Sequence, residues 1–241
     1  MARNPYLAKL LLEEEELISN TENRTPVMFC LDCSFSMRQQ HRLERVMEGL
    51  KEFCQDMAKD PVAGLSVEVC IVGFGGNEPT LAMDFTPPGR ISLPALKADG
   101  NTPLTEGVRL ALDTLEARKM RYDQNGIPIY RPWLIIIGDG DDTGSKKELE
   151  QMAAHLKAES DAKHLNVLCI TVGDEDKICY SSLMKLSPDG KVQYLKDLKF
   201  REFFAWLSRS MEKTSRSIGH EEPLYESTVT WGEVLHRRWT R

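Results

Sequence analysis

No stretch of this 241-residue chain is apolar for long enough to cross a bilayer. A leader is not expected either, because Leu10, Leu11 and Leu12 run straight into Glu13 to Glu16. Basic residues are not in excess: 31 Lys and Arg stand against 37 Asp and Glu, a formal charge of -6. That balance argues against a nucleic-acid partner, which selects a basic face. Cysteine is sparse, with six scattered residues that suit reduced thiols better than a disulfide framework. The five histidines are dispersed and no G-x-S-x-G occurs, so nucleophilic hydrolysis has no visible support. GFGGNE, at 73–78, has neither the G-x-x-x-x-G-K-[ST] nor the G-x-G-x-x-G pattern and reads as a turn. There are no internal repeats and no low-complexity tracts. These absences leave a cytoplasmic protein that engages neither nucleic acid nor membrane.

What is present is an alternation. Hydrophobic residues make up 41% and charged residues 28%, an ordinary globular balance. VMFCLD, LSVEVCIVGF, WLIIIGD and NVLCITVGD are near-continuous apolar runs, the pattern of strands covered on both faces. TLAMDFT, short and followed by PPG, reads as an edge strand, and VQYLKD as a last strand. Between them lie helical periodicities. Leu43, Val46, Leu50, Phe53 and Met57 share one face, as do Leu104, Val108, Ala111, Leu112 and Leu115. SKKELEQMAAHLKAES opens with Ser145 and Glu148 at capping-box spacing. SSLMKLS reads as a short helix, and Phe200, Phe203, Phe204, Leu207 and Met211 mark a closing one. The expected fold is α/β: a three-layer, doubly wound, mostly parallel sheet with helices on both faces. Residues 1–24 are expected to form an amphipathic N-terminal helix and join, with Leu7, Leu10, Leu11, Leu17 and Ile18 on one side. Residues 25–213 form the domain, and 214–241 a loosely packed or partner-binding tail that includes His236, Arg237, Arg238 and Trp239.

In such sheets ligands bind beyond the carboxyl ends of the strands. Three of those ends supply oxygen. Asp32, Ser34 and Ser36 follow the first strand, Asp139 follows WLIIIG, and Thr102 stands at a helix mouth in DGNTPL. Carboxylate and hydroxyl oxygens without His or Cys suit a hard cation such as Mg²⁺. The competing reading is helix capping, by Ser36 for the first long helix and by Thr102 with Pro103 at N1 for the next. Cys30 and Cys33 make a lone C-x-x-C, and Cys169 and Cys179 lack the spacing of a second zinc pair, so core thiols are the simpler reading. Asp141, Asp142, Asp174 and Asp176 give the crevice an acidic rim.

Asp-x-Ser-x-Ser in DCSFS, the Thr of GNTPL and the Asp of IIIGDG resemble the metal-ion-dependent adhesion site of von Willebrand factor type A domains, in the same order along an alternating chain. The resemblance spans about 25–213. YRPWLIIIGDGDDT is similar to a segment of bacterial tellurite-resistance-type members. The resemblance implies a Rossmann-like fold and metal ligation by Asp32, Ser34, Ser36, Thr102 and Asp139. The ion would be Mg²⁺ or Mn²⁺, left electrophilic by its neutral hydroxyl ligands and open to a partner protein's Glu or Asp. The narrower match implies a stress-response or signalling set whose partners include a protein kinase or a protein phosphatase. The chain departs from the pattern at Phe35, where a small residue is usual, and at Gly138, where Thr is common. No enzyme activity is implied. Two alternatives stay open. One is a metal-dependent phosphate-ester hydrolase using the same crevice, although Ser34 stands where an aspartyl-phosphate enzyme would want a second carboxylate. The other is a scaffold with an inactive site.

Overall fold

A computed structural model describes residues 15, 17–173, 180–195, 199–216 and 233–236. Seven strands form one sheet in the order β3-β2-β1-β4-β5-β6-β7. β1 (Thr25–Asp32) lies at its centre, parallel to β2 (Val67–Phe74) on one side and β4 (Trp133–Gly138) on the other. β5 (Asn166–Thr171) and β6 (Lys191–Tyr194) continue the parallel run. Both edges are antiparallel: β3 (Thr80–Thr86) on β2, and β7 (Glu233–His236) on β6. The mostly parallel α/β sheet matches the expectation from the alternating pattern. β7 was not expected. It lies in the 214–241 segment read as a loose tail, and its four residues pair with β6 from Lys191↔His236 to Tyr194↔Glu233. A short strand with a single small neighbour carries little periodicity, so its pairing was invisible in the sequence. Arg237, Arg238 and Trp239 lie outside the described residues.

The helices are α1 (Arg42–Lys59), the short α2 (Ala63–Ser66), α3 (Leu104–Gln124), α4 (Lys146–Asp161), α5 (Ser181–Leu186) and α6 (Phe200–Arg216). Every residue of β1, β2 and β4 is buried, as double coverage requires. Successive side chains of a strand point to opposite faces. Val27, Phe29 and Leu31 therefore enter the layer under α1 and α6, while Met28 and Cys30 enter the layer under α3 to α5. Phe29, Phe53 and Phe204 tie strand and helices together, with Phe29 and Phe53 rings edge-on at 5.8 Å and Phe203 and Phe204 at 4.8 Å. α1 can approach α6 closely because it carries Gly49, where a methyl group would stand 2.4 Å from the Phe204 ring.

Leu17 is buried and Ile18 is exposed, so the two do not share the buried face expected of them; Leu7, Leu10 and Leu11 lie outside the described residues. What anchors this end is Arg24, a buried guanidinium. It donates to the carbonyls of Leu17 at 2.9 Å and Asn20 at 2.8 Å and stands 3.4 Å from Glu68. Arg118 and Tyr122 of α3 meet the same Glu68 carboxylate. This ionic cluster lies at the end of the sheet away from the carboxyl-terminal crevice.

Phe204 fills the space between α1, α6 and β1, so Phe204→Ala should lower the unfolding free energy by about 3–5 kcal/mol in urea denaturation. A loss below about 1 kcal/mol would show that this layer repacks freely.

Candidate metal centre

The crevice is built by loops leaving β1 and β4 and by the mouth of α3. After Asp32 the chain passes through Ser34 into a 3₁₀ segment, Phe35–His41, before α1. Asp32 Oδ1 accepts a 2.7 Å bond from the Ser34 amide, and Asp32 Oδ2 faces the Asp139 amide at 3.4 Å. One carboxylate thus joins the ends of β1 and β4. Ser34 Oγ and Ser36 Oγ are 3.0 Å apart, and Ser36 Oγ donates to Asp139 Oδ1 at 2.6 Å. Asp32, Ser34 and Asp139 are buried and Ser36 half-buried.

Thr102 joins them through its backbone. Its carbonyl accepts from the Thr143 amide at 3.0 Å, which fixes the α3 mouth to the loop after β4. The adjoining Gly100 carbonyl accepts from the Phe35 amide at 3.1 Å, which fixes it to the loop after β1. The Thr102 hydroxyl makes no hydrogen bond among the described residues, and a methyl group on Gly140 would lie 3.8 Å from it. Asp32, Ser34, Ser36 and Asp139 are thus joined directly, and Thr102 stands on a loop bonded to both of theirs.

Two glycines permit this. A methyl group at Gly75 would lie 2.3 Å from the Cys33 carbonyl oxygen, and one at Gly100, where φ is +63°, would lie 2.4 Å from the Gly76 Cα. GFGGNE thus ends β2 at Phe74 and turns after it, and the bareness of its glycines lets three loops touch. Gly138 has a similar reason. A methyl group there would crowd Asp32 Oδ2 at 3.0 Å, so the absence of the common Thr leaves room for the carboxylate.

Burial pushes the Asp32 carboxyl up from 3.8 to about 7; the Ser34 bonds oppose the rise and the neighbouring Asp139 charge adds to it. Asp139 has a counter-ion. Arg42, the first residue of α1, is buried and donates from Nη1 to Asp139 Oδ2 at 2.6 Å.

The capping alternatives fail in detail. Ser36 lies inside the 3₁₀ segment, and the residue before α1 is His41, with φ 54° and no side-chain cap. Pro103 occupies the position before α3, and the cap comes from elsewhere: Asp142 Oδ1 accepts from the Leu104 amide at 3.1 Å, while its Oδ2 takes the Thr105 hydroxyl. Asp141 likewise accepts from the Ser182 amide at 2.9 Å and from the Ser181 hydroxyl. Two members of the expected acidic rim are consumed in these bonds, and Asp174 and Asp176 lie outside the described residues. Ser145 precedes α4 but makes no side-chain cap, so the expected capping box does not close. Cys30 and Cys33 belong to opposite core layers and are free and buried. Among the described residues no cluster of three or more His, Cys, Asp and Glu could hold a metal. Any ion here depends on hydroxyls.

Residues 27–142 match the family model of the von Willebrand factor type A domain. The matched stretch begins within β1, runs through β4 and contains every residue of the candidate site. Solved structures agree on the fold. The SpRpn10 von Willebrand factor A domain aligns at a TM-score of 0.50 and 17% identity, covering 69% of this chain and 82% of that one. The pilus adhesin SpaC of Lactobacillus rhamnosus GG, in its open conformation, aligns at 0.60 and 15%, covering 80% and 31%. Proximal thread matrix protein 1 of the mussel byssus aligns at 0.52 and 12%, covering 80% and 49%. No curated protein matches the chain.

At the candidate site the sequence concealed Arg42 altogether. It looks like an ordinary polar residue at the start of an amphipathic helix, and only the folded chain sets it against Asp139. Asp142 was visible as part of a charge run but not as a cap. Phe35, in place of the usual small residue, is 58% exposed at the crevice rim, with the Arg38 guanidinium 4.8 Å from its ring centre.

Without metal, the folded state keeps the Asp32 proton up to about pH 7 whereas the unfolded chain releases it near pH 4. This contribution to stability is complete below pH 4 and is lost as pH rises through 7. Asp32→Asn should remove that loss, which amounts to about 4 kcal/mol at most. Urea denaturation in chelator across this range measures it, and parallel pH profiles for variant and wild type would refute it. Gly75→Ala should cost about 1–3 kcal/mol by forcing the Cys33 loop away, read as a lowered melting temperature.

Proposed function

We propose that the chain is a protein-binding module whose contact runs through a divalent cation, Mg²⁺ or Mn²⁺. Asp32, Ser34, Ser36, Thr102 and Asp139 would hold the ion, directly or through water. The observation that carries this reading is the convergence of Ser34, Ser36 and Asp139 oxygens at 2.6–3.0 Å spacing beside Asp32. Oxygens around an octahedral Mg²⁺ at about 2.1 Å stand about 3 Å from their neighbours, so the spacing fits. The Thr102 hydroxyl, without a protein hydrogen-bond partner among the described residues, is available to the same ion.

When bound, the ion supplies an electrophilic centre that accepts an outside carboxylate. The chain's own residues do the rest. Neutral hydroxyls leave the ion's charge largely unquenched. The bond from the Ser34 amide orients Asp32, and the buried strand ends exclude water from behind. Phe35 and Arg38 provide an apolar and cationic rim suited to an acidic partner segment. The partner is a protein that offers Glu or Asp. The resemblance of 130–143 to tellurite-resistance-type proteins supports a cytoplasmic bacterial stress-response or signalling set, with a kinase or phosphatase as partner. The reading is of a binding module rather than an enzyme. Among the described residues no helix is long and apolar enough to cross a membrane.

Mg²⁺ or Mn²⁺ at saturating concentration should raise the melting temperature of the wild type by mass action. Asp32→Ala should abolish the rise. Equal shifts in both proteins would place the ion elsewhere. Generic phosphomonoesters should show no turnover in Mg²⁺; turnover lost in Asp32→Ala would establish the hydrolase instead.

A further inference from the structure

The site already contains a cation. Arg42 Nη1 lies 2.6 Å from Asp139 Oδ2, and both side chains are buried, at 5% and 2% exposure. Asp139 Oδ1 takes the Ser36 hydroxyl at 2.6 Å. The two oxygens of one carboxylate are therefore divided, one toward the hydroxyl cluster and one toward a guanidinium. The guanidinium has a prepared seat. A methyl group on Gly173, at the end of β5, would stand 3.2–3.3 Å from its Cζ, Nη2 and Nη1. Gly173 has φ +129°, a conformation that L side chains rarely adopt. Arg42 Nε is buried with no hydrogen-bond partner among the described residues. Burying a guanidinium costs free energy that a paired carboxylate must offset, and here that carboxylate is Asp139. The charge it sets against Asp139 accounts for its position.

We propose that Arg42 is a positioning residue that acts as a resident counter-cation: it holds Asp139 in place when no metal is bound and weakens the site's affinity for a divalent ion. The proposal rests on the metal reading above. A unit positive charge bonded to a ligand carboxylate repels a doubly charged ion beside it, and in a part-buried crevice this repulsion is poorly screened. The guanidinium and the ion share one electrostatic task, the neutralising of Asp139. Each should therefore substitute in part for the other, and the arginine sets the threshold at which metal takes over.

Isothermal titration of the full chain with MgCl₂ and MnCl₂ tests this, alongside thermal melts in chelator and in Mg²⁺. Arg42→Gln keeps a donor for Asp139 and removes the charge. It should bind either ion on the order of tenfold or more tightly than wild type. Its melting temperature should fall in chelator and be largely restored by Mg²⁺, giving a larger metal-induced shift than wild type. Arg42→Lys keeps the charge and should bind close to wild type. Folding of Arg42→Gln only with metal supports the proposal, as does binding by that variant where wild type shows none. The proposal is overturned if wild type binds and Arg42→Gln binds no tighter. It is overturned too if Mg²⁺ leaves the destabilisation of Arg42→Gln unrelieved, if that variant folds under neither condition, or if Arg42→Lys also gains affinity. Absence of binding in both wild type and Arg42→Gln brings down the metal reading itself, and this proposal with it.

Discussion

Asp139 is the residue through which the crevice is assembled. Its carboxylate receives Ser36 from the loop after β1 and Arg42 from the start of α1, while its amide faces Asp32. Without these bonds the ends of β1 and β4 would present two buried carboxylates a few ångströms apart. Like charges so placed repel, and burial disfavours each of them. The chain relieves this in two ways. Asp139 gains a guanidinium, and Asp32 is pushed toward its protonated form. A divalent ion would relieve it in a third way, drawing on both carboxylates together.

The rest of the architecture serves that arrangement. A central strand buried along its whole length cannot shift register without exchanging its side chains between the two core layers, so the position of Asp32 at the end of β1 is fixed. Bonds between loops then carry this precision outward. The Cys33 amide donates to the Phe74 carbonyl at 2.7 Å, the Asp99 amide to the Cys33 carbonyl at 2.7 Å, and the Gly76 amide to the Asp99 carbonyl at 2.7 Å. Gly75 and Gly100 are needed because backbones approach too closely there for a Cβ. Asp142 caps α3 from a different loop and so locks Thr102 against the end of β4. A helix cap and a ligand position, which looked like competing explanations of the hydroxyls, are separate tasks given to separate residues.

Much of the fold was legible in the sequence because its signals are local and repeated. VMFCLD and WLIIIGD have no polar alternation, and only a strand covered on both faces suits them. The helix faces of Leu43 to Met57 and Leu104 to Leu115 recur over enough turns to identify themselves. The five oxygen-bearing residues were legible as candidates for a different reason: Asp32, Ser34, Ser36 and Asp139 lie at or soon after strand ends, and Thr102 just before a helix, all at predictable boundaries. Illegible were features whose partner is remote: the pairing of β7, the seat of Arg24 on Glu68, the burial of Leu17 without Ile18, and the choice of Asp142 as a cap. The Ser145 and Glu148 spacing shows the converse, a correct local pattern whose bond does not form.

The sequence by itself determined the layers, the order in which strand ends appear, and the hard-oxygen character of the crevice. These follow from hydrophobic periodicity and side-chain type, which are properties of single residues and their near neighbours. Only the tertiary structure decided how charge is distributed there. Arg42 is separated from Asp139 by 97 positions, and Gly173 lies beyond the end of another strand again. Electrostatic interaction depends on distance in space and on exclusion of water, and neither can be read along a chain.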